Sequence, residues 1–278
     1  MAVNGVALHV AEGGSGEPLL LLHGYPQSGE TWRSVAPQLA ESGRRVVIPD
    51  LRGMGLSDIA PDGYELPELA DDIHQIVRQL GFTEIDVVGH DWGGAVAAVY
   101  ALSHRTEVRR LAFIESAVGG AGFEDAWSFT SPNPAMTFIP LLLSGELTEQ
   151  LIAGREEIYL RHLWETFTAN KDRVPFDSWE PYLAALKRPG LIHSSASYYR
   201  AVYAAADEVR RLIGTARLTI PVLSVAGSAS FGAGQRALVD AFAENVVADV
   251  VIDDAGHFVP EEQPEAFLAA LDEFLTRW

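Results

Sequence analysis

The most reactive pattern in the sequence is a hexapeptide at 89–94, Gly-His-Asp-Trp-Gly-Gly, which has a glycine two positions before Asp91 and another two positions after it. An apolar run precedes the hexapeptide and Ala-Val-Ala-Ala-Val follows it, so the sequence predicts a strand, a tight turn and a helix. This is the arrangement of a G-x-S-x-G nucleophile elbow with aspartate in the place of serine. The glycines allow a turn that exposes the central side chain, and the helix N-terminus favours an ionised carboxylate. The pattern therefore predicts that Asp91 is a nucleophile.

A carboxylate nucleophile limits the reactions that this chain can catalyse. Attack by Asp91 on an acyl carbon would produce an anhydride, which is a poor route to hydrolysis. Attack on a saturated carbon produces an alkyl ester, and water can then cleave that ester at its carbonyl. The substrates to consider therefore carry a leaving group on a saturated carbon, and they are epoxides or alkyl halides. Esterase, lipase and peptidase activities are excluded by the same argument.

The second candidate catalytic residue is His257, in Asp-Ala-Gly-His-Phe at 254–258. It follows the last predicted strand and precedes the final predicted helix, where enzymes with this elbow place their general base. The acid that orients His257 has two possible positions. The loop at 228–232 contains no carboxylate, whereas Glu115 ends the predicted strand after the nucleophile helix. We assign to Glu115 the role of holding the tautomer of His257 and stabilising its imidazolium.

Other titratable side chains near these positions are interpreted as structural. Asp253 and Asp254 are close to His257 in sequence and are rivals for the orienting role, but we expect them to cap the turn. We expect His90, beside the nucleophile, to have a packing role and His23 to hydrogen-bond its own loop.

A second loop, His-Gly-Tyr-Pro at 23–26, follows another apolar run. Enzymes with a nucleophile elbow form their oxyanion hole from such a loop and from the residue after the nucleophile. We therefore expect the backbone N–H groups of Tyr25 and Trp92 to stabilise the tetrahedral intermediate that forms when water attacks the ester.

Short apolar runs alternate with amphipathic stretches, which is the pattern of a mostly parallel sheet flanked by helices. Runs rich in Val, Ile and Leu predict strands at 18–22, 45–49, 85–89, 110–115, 220–227 and 246–252. Helices are predicted at 66–80, 94–103, 235–242 and 264–278. Residues 118–215 contain no strand-like run and are rich in aromatic side chains. This stretch predicts a helical cap over the carboxyl edge of the sheet. The predicted domains are a core of 1–117 and 216–278 and a cap of 118–215.

Composition restricts the partners and the location. Of the 278 residues 48% are hydrophobic, and the net charge is -18, which repels nucleic-acid backbones. No apolar run approaches the ~20 residues that a bilayer crossing needs, and the N-terminus has no features of a secretory signal. No Cys, no His-Glu-x-x-His and no G-x-x-x-x-G-K-[ST] pattern occurs, so we expect no metal and no cofactor. The expected protein is a soluble cytoplasmic enzyme with a small-molecule substrate, and a homodimer is left open.

Together these motifs resemble the α/β-hydrolase superfamily, from residue 18 to the end of the chain. The combination of His-Gly-Tyr-Pro, Gly-His-Asp-Trp-Gly-Gly and Gly-His-Phe is typical of the branch that contains epoxide hydrolases and haloalkane dehalogenases. Within this branch the chain is most similar to the Cif-like epoxide hydrolases, and the similarity includes 151–156 and 197–201 of the predicted cap. That resemblance implies an α/β-hydrolase fold, a glutamate at the position of Glu115, and hydrolysis of epoxides to vicinal diols.

The resemblance also implies two cap residues for ring opening. Opening an epoxide generates an alkoxide, and epoxide hydrolases supply two hydrogen-bond donors to its oxygen from the cap. In the Cif-like group these donors are a His and a Tyr, which implies His162 and Tyr199 in this sequence. Tyr198 is an alternative to Tyr199, since the two are adjacent.

Three other functions are weighed against epoxide hydrolysis. A haloalkane dehalogenase would use the same nucleophile and would bind halide with Trp92 and a second donor, either Trp127 or Trp164. A haloacetate dehalogenase should carry an Arg soon after the nucleophile, but none occurs at 92–104. A ligand-binding protein of this fold would often lack a member of the triad, whereas all three members are present here.

Overall fold

The computed structural model describes residues 1–126 and 137–278. Its strands are β1 (Ala2–Val3), β2 (Val6–Ala7), β3 (Val10–Gly14), β4 (Glu17–Leu22), β5 (Arg44–Pro49), β6 (Ile85–His90), β7 (Val108–Ile114), β8 (Val222–Gly227) and β9 (Val246–Ile252). The last seven form one sheet in the order β3-β5-β4-β6-β7-β8-β9. Only the β3–β5 pair in this sheet is antiparallel, while β1 and β2 form a separate antiparallel pair.

Helices surround the sheet and fill the long connection between β7 and β8. They are α1 (Ala36–Glu41), α2 (Leu66–Gln79), α3 (Trp92–Ser103), α4 (Phe123–Ala126), α5 (Ile139–Leu142), α6 (Glu146–Ile152), α7 (Glu156–Phe167), α8 (Glu180–Leu186), α9 (Leu191–Thr215), α10 (Gln235–Asp240), α11 (Val259–Glu262) and α12 (Pro264–Arg277). Short 3-10 turns occupy Gly29–Trp32, Phe176–Trp179 and Gly232–Gly234.

The sheet has a hydrophobic cluster on each face. Successive side chains of a strand point to opposite faces, so Leu20 and Leu22 of β4 join one cluster while Leu19 and Leu21 join the other. Helices α2 and α3 contribute to the first cluster and α1 and α12 to the second. Every residue of β6 is buried, as expected for a parallel strand that helices cover on both faces.

The predicted fold class is confirmed, and the strands that end at the site lie within two residues of their predicted positions. Glu115 was predicted as the last residue of its strand, but β7 ends at Ile114 and Glu115 begins the following loop. The strands β1, β2 and β3 and the helices α1 and α11 were not predicted from the sequence. β3 is an edge strand with two glycines and mostly exposed side chains, so it lacks the apolar pattern by which a buried strand is recognised.

Among the described residues between β7 and β8, the regular elements are the helices α4–α9 and the 3-10 turn at Phe176–Trp179. The division into a core of 1–117 and 216–278 and a cap of 118–215 stays a prediction. No helix in the described part of the chain has both the length and the apolar character needed to cross a membrane.

Candidate active site

Asp91 stands in the turn between β6 and α3 with a backbone φ of 52° and ψ of -123°. A non-glycine residue rarely adopts a positive φ, and such strain concentrates at functional sites. The tight turn depends on its glycines, because a Cβ on Gly89 would collide with the backbone of Gly93. A Cβ on Gly93 would collide with the carbonyl oxygens of Leu22, the last residue of β4, and His23. The sequence pattern therefore encodes a strained turn that lifts the carboxylate above the carboxyl edge of the sheet.

Two backbone N–H groups face the Asp91 carboxylate, in the positions expected for an oxyanion hole. The Tyr25 N–H donates to Asp91 Oδ1 over 2.7 Å. The Trp92 N–H also donates to this carboxyl group and helps to lower its pKa. Gly24 is required here for space, because a Cβ at that position would overlap the Asp91 carboxylate. The same donors can stabilise the oxyanion that forms when an ester of Asp91 is attacked.

Glu115 is fully buried and has a φ of 45°. Its Oε1 accepts from the Gly227 N–H over 2.8 Å, and its Oε2 accepts from Ser230 Oγ over 2.5 Å. Its Oε2 also lies 3.1 Å from His257 Nδ1. The loop after β8, which contains no carboxylate of its own, therefore supplies hydrogen-bond donors that fix Glu115 against His257.

His257 lies between the two carboxylates. Its Nε2 is 3.6 Å from Asp91 Oδ2, while its Nδ1 contacts Glu115. Burial alone would lower the pKa of His257, but the hydrogen bonds and negative charges of Asp91 and Glu115 outweigh it and raise the pKa to about 10. Burial raises the pKa of Asp91, and the interaction with His257 more than reverses this, so Asp91 is held ionised. Asp91, His257 and Glu115 therefore form a triad in which the base lies between the nucleophile and the orienting acid.

The neighbouring histidines stabilise the surrounding loops. His90 is buried, and its Nε2 contacts the carbonyl oxygen of His257 over 2.8 Å, which fixes the loop that carries the base. Burial, followed by the charge of His257, lowers the pKa of His90 to about 3, so it stays neutral. His23 Nδ1 contacts the Gly24 carbonyl, and its Nε2 accepts from the Leu51 N–H. Both contacts correspond to the packing and loop-stabilising roles expected from the sequence.

Asp254, one of the sequence rivals of Glu115, is turned away from the base. It has a φ of 54°, and its Oδ2 accepts from Asn170 Nδ2 over 2.6 Å. Its backbone carbonyl accepts from Gln263 Nε2 over 2.9 Å. Asp253, the other rival, is exposed. The structure therefore brings only Glu115 to His257 among these three carboxylates.

The sequence analysis missed Glu262, a fully buried residue at the end of α11. Its Oε2 accepts from the N–H groups of Ala169 and Asn170, just beyond α7, over 2.8 Å each. The same carboxylate accepts from the N–H groups of Gly256 and Phe258, on either side of the base, over 3.0 Å each. The segment Glu-Glu-Gln-Pro at 261–264 resembles any exposed helix start, so its sequence gave no indication that one side chain joins two distant loops.

Tyr199 of α9 lies over the nucleophile. It is buried and lines the same cavity as Asp91, with its ring 5.0 Å from that of Trp92 and 5.8 Å from that of Tyr25. Burial, and then the charge of Asp91, raise its pKa well above 10.0, while a hydrogen bond with the Trp92 side chain opposes this rise. The hydroxyl is thus a neutral donor opposite the carboxylate. Tyr198 points elsewhere, with its hydroxyl donating to the Arg52 carbonyl over 2.6 Å.

His162 does not belong to this group of side chains, so its assignment as a ring-opening donor needs correction. Its side chain is exposed, its Nε2 lies 2.9 Å from Thr137 Oγ1, and it lines a surface pocket with residues of 154–165. The physical reason is helical phase, because Leu163 and Phe167 form the face of α7 that lines the cavity. One turn before them, Tyr159 is buried and its hydroxyl lies 2.9 Å from the Tyr25 hydroxyl.

The cavity around Asp91 has a volume of about 300 Å³. Its described lining is mostly apolar and contains no Arg or Lys. The lining residues are Tyr25, Pro26, Asp91, Trp92, Glu115, Ser116, Ala117, Phe123, Phe138, Leu163, Thr166, Phe167, Tyr199, Ala229, Ser230, Phe231, His257 and Phe258. Such a lining favours an apolar substrate whose only polar part meets Asp91 and Tyr199.

Trp164, one of the two tryptophans considered as a second halide donor, does not add a donor to this cavity. Trp164 donates its indole N–H to the Val174 carbonyl over 2.7 Å, and it does not line the cavity. Trp127 lies outside the described residues. The indole of Trp92 interacts with the Tyr199 hydroxyl.

Comparison with known proteins agrees with this geometry. Residues 17–152 match the family model for the alpha/beta hydrolase fold. The chain is 36% identical over 267 residues, 95% of its length and 91% of that protein, to the soluble epoxide hydrolase of Corynebacterium sp. (strain C12). It superposes on the crystal structure of Cfl2 from Burkholderia cenocepacia with a TM-score of 0.92, 32% identity and coverage of 99% of this chain and 94% of that one.

A fluoroacetate dehalogenase from Burkholderia sp is 34% identical over 205 residues, which cover 72% of this chain and 67% of that protein. The chain belongs to the α/β-hydrolase family. Within that family, its similarity over nearly the whole length is to an epoxide hydrolase, as the resemblance seen in the sequence implied.

Proposed function

We propose that this enzyme hydrolyses epoxides to vicinal diols through a covalent ester of Asp91. The observation that carries the proposal is a neutral phenol, Tyr199, facing an ionised carboxylate in one apolar cavity. An epoxide requires both groups, because one of its carbons must be attacked while its oxygen receives a proton. The similarity to a soluble epoxide hydrolase supports the same activity.

In the first step an oxygen of Asp91 attacks one epoxide carbon and the bond from that carbon to the ring oxygen breaks. The alkoxide that forms receives the proton of Tyr199. The Trp92 side chain contacts the Tyr199 hydroxyl and opposes the rise of its pKa, which makes the phenol a better acid. The products of this step are a hydroxyalkyl ester on Asp91 and a phenolate at Tyr199.

Formation of the ester changes the protonation of His257. The high pKa of His257 depends on the negative charge of Asp91, and that charge disappears when the carboxylate is alkylated. His257 can then release its proton, through solvent, to the Tyr199 phenolate. Neutral imidazole is the form that can act as a general base, so the first step itself prepares the base for the second.

In the second step His257, oriented by Glu115, removes a proton from water as the water oxygen attacks the ester carbonyl of Asp91. The N–H groups of Tyr25 and Trp92 stabilise the oxyanion. The intermediate collapses with release of the diol. Of the two water protons, one ends on the departing hydroxyl and the other on His257, which restores the resting triad.

We propose the Tyr25–Tyr159 pair as the second contact to the epoxide oxygen in place of His162. Tyr25 lines the cavity, and its hydroxyl bonds to that of Tyr159 behind it. Burial raises the pKa of both phenols, so both are neutral donors. Tyr159 can donate to Tyr25 when Tyr25 donates to a ligand.

The dehalogenase alternatives receive less support. A haloacetate needs a cation for its carboxylate, but the described lining of the cavity has neither Arg nor Lys. A haloalkane dehalogenase would need a second N–H donor beside Trp92, and the described lining includes no other tryptophan. The complete triad likewise favours an enzyme over a ligand-binding protein.

The coarser features of the protein fit this activity, with an apolar cavity sized for a small alkyl or aryl epoxide. We also propose that the enzyme is cytoplasmic, has no nucleic-acid or membrane partner and forms a homodimer. We propose in addition that residues 118–215 form a cap on a core of 1–117 and 216–278.

The decisive experiment uses Glu115→Gln and His257→Ala, which should impair the second step more than the first. Intact-mass spectra after exposure to styrene oxide should show one adduct per chain, and a peptide digest should locate it on Asp91. Asp91→Asn is the matched control and should remain unmodified. Bare protein in both variants, with wild-type enzyme active on the same epoxide, would contradict the covalent mechanism. Release of bromide from matched bromoalkanes, with no diol from epoxides, would favour the dehalogenase.

A further inference from the structure

A cluster of side chains that could hold a metal ion lies at the opposite end of α3 from the nucleophile. Asp71 and His74 are three residues apart on α2, so they share one face of that helix. His104 follows the last residue of α3. One potential ligand atom from each of these three residues lies within 4.8 Å of the other two. A helix of the length of α3 spans about 18 Å, so this cluster is separate from the site at Asp91.

The two imidazoles are held in a defined arrangement. The rings of His74 and His104 stack with their centroids 3.9 Å apart and their planes 9° from parallel. His74 Nδ1 contacts Glu107 Oε2 over 2.9 Å, and the Tyr100 hydroxyl donates to the same oxygen over 2.9 Å. This contact orients the His74 ring and leaves Nε2 as its remaining coordinating atom.

Asp71 is oriented in the same way. Its Oδ2 accepts from Asn4 Nδ2 over 2.9 Å, which leaves Oδ1 for another partner. Outer hydrogen bonds of this kind, to the second nitrogen of a histidine or the second oxygen of a carboxylate, commonly orient metal ligands in proteins. Here two of the three potential ligands, Asp71 and His74, have such an outer contact.

We propose that Asp71, His74 and His104 form a binding site for a divalent transition-metal cation of the Zn²⁺ type. Two imidazoles and one carboxylate are a ligand set that such cations accept, with water completing the coordination. Ligands about 2 Å from a tetrahedral metal lie roughly 3.3 Å apart. The rings of His74 and His104 are stacked with nearly parallel planes, so their nitrogen lone pairs do not converge on one point. Because Glu107 holds the His74 ring, His104 must rotate out of the stack to bring one of its nitrogens to an ion bound by His74 and Asp71. Bound there, the cation would tie the middle of α2 to the end of α3.

The test measures binding directly and does not depend on catalysis. Tag-free protein, treated with chelator and exchanged into metal-free buffer, is titrated with Zn²⁺ in competition with a chromophoric chelator. We expect one equivalent to bind, and we expect the affinity to fall at least tenfold in His104→Gln and in Asp71→Asn. Glu107→Gln should weaken binding about tenfold, because it removes the outer contact of His74.

His193→Gln is the matched control. His193 also pairs with a glutamate, Glu149, over 2.7 Å, but it does not belong to the cluster. Zn²⁺ should raise the Tm of the wild type and of His193→Gln, and should leave that of His104→Gln unchanged. Mg²⁺ should raise none of them, because it prefers oxygen ligands.

Absence of binding at millimolar Zn²⁺, or binding of equal strength in wild type and in a correctly folded His104→Gln, would overturn the proposal. Circular dichroism confirms folding of each variant. With Cu²⁺ as the probe, electron paramagnetic resonance should show coupling to two nitrogens in the wild type. A spectrum with one or none would also count against the site.

Discussion

The two sides of the catalytic cavity are built by different physical means. On the sheet side, Asp91 and Glu115 stand directly after parallel strands, with positive φ angles and with backbone N–H groups on their oxygens. On the helical side, Tyr199 and Tyr159 project from α9 and α7 and are held by aromatic packing and a hydroxyl contact. The sheet side fixes side chains through backbone geometry, whereas the helical side fixes them through the rotation and packing of whole helices.

This difference explains which residue positions could be predicted from the sequence. A residue at the end of a parallel strand must lie at the carboxyl edge of the sheet, so its location follows from strand order. A residue on a helix reaches the cavity only if the helix turns that face inward. His162 and Tyr159 are three positions apart on α7, and only Tyr159 is buried.

The largest effect should come from the sheet side. Asp91→Asn removes the nucleophile, so we expect activity to fall on the order of 10⁴-fold or more, measured as diol formation. The variant should also lower the pKa of His257, because the hydrogen bond and the charge of Asp91 contribute, together with Glu115, to raising it. A measurement of the His257 imidazole by NMR checks this, and an unchanged pKa would refute the charge dependence of the base.

The interaction of His257 with Asp91 makes the free energy of unfolding depend on pH. The folded-state pKa of His257, about 10, lies above its ordinary value of 6.5, so the pairing stabilises the fold fully below pH 6.5 and is lost as the pH rises toward 10. The stability of the wild type should therefore decline across this range more steeply than that of Asp91→Asn. Urea unfolding at several pH values measures both, and parallel curves would contradict the pairing.

On the helical side, Tyr199→Phe should slow alkylation of Asp91 by about 10²–10³-fold, because it removes the proton donor for the ring oxygen. Tyr198→Phe is the adjacent control. It loses the bond to the Arg52 carbonyl and should cost about 1 kcal/mol of folding free energy with little change in the rate. Single-turnover kinetics and denaturant unfolding separate the two effects, and equal rates in both variants would remove Tyr199 from the mechanism.

Glu262 connects the two sides of the cavity, because its carboxylate accepts from N–H groups beyond α7 and on either side of His257. Glu262→Gln weakens the acceptor of four backbone N–H groups, so we expect a loss of about 1–3 kcal/mol in the free energy of unfolding. Because two of these groups flank His257, hydrolysis of the ester should slow more than its formation. Pre-steady-state accumulation of the ester is the relevant measurement. Equal slowing of both steps would assign Glu262 a role in stability alone.

The smallest effect should come from His162. Since its side chain is exposed, His162→Gln should change the rate of alkylation by less than about twofold. Tyr159→Phe provides the comparison from the buried face of the same helix, and it should have the larger effect of the two. A large loss in His162→Gln alone would restore the assignment that the sequence resemblance implied.

The reaction class and the positions of the sheet-side residues could be predicted from the amino-acid sequence. Asp91 sits in an elbow whose glycines leave one local geometry available, and His257 and Glu115 follow strands that apolar runs make recognisable. These are short-range patterns, and the order of parallel strands brings their ends together. Because the loop after β8 contains no carboxylate, the sequence favours Glu115 as the partner of His257, and the structure shows that contact.

The three-dimensional structure was needed to distinguish Tyr199 from Tyr198 and to place His162 outside the cavity. It also revealed Glu262 and the cluster of Asp71, His74 and His104. Each of these depends on contacts between segments far apart in the chain: α7 and α9 over the sheet, α11 against the end of α7, and α2 against α3. A helix exposes several faces with similar local sequences, and the choice among them is made by packing. The order of the parallel strands fixes where the residues at their ends lie, whereas packing against neighbouring elements fixes which face of a helix lines the cavity.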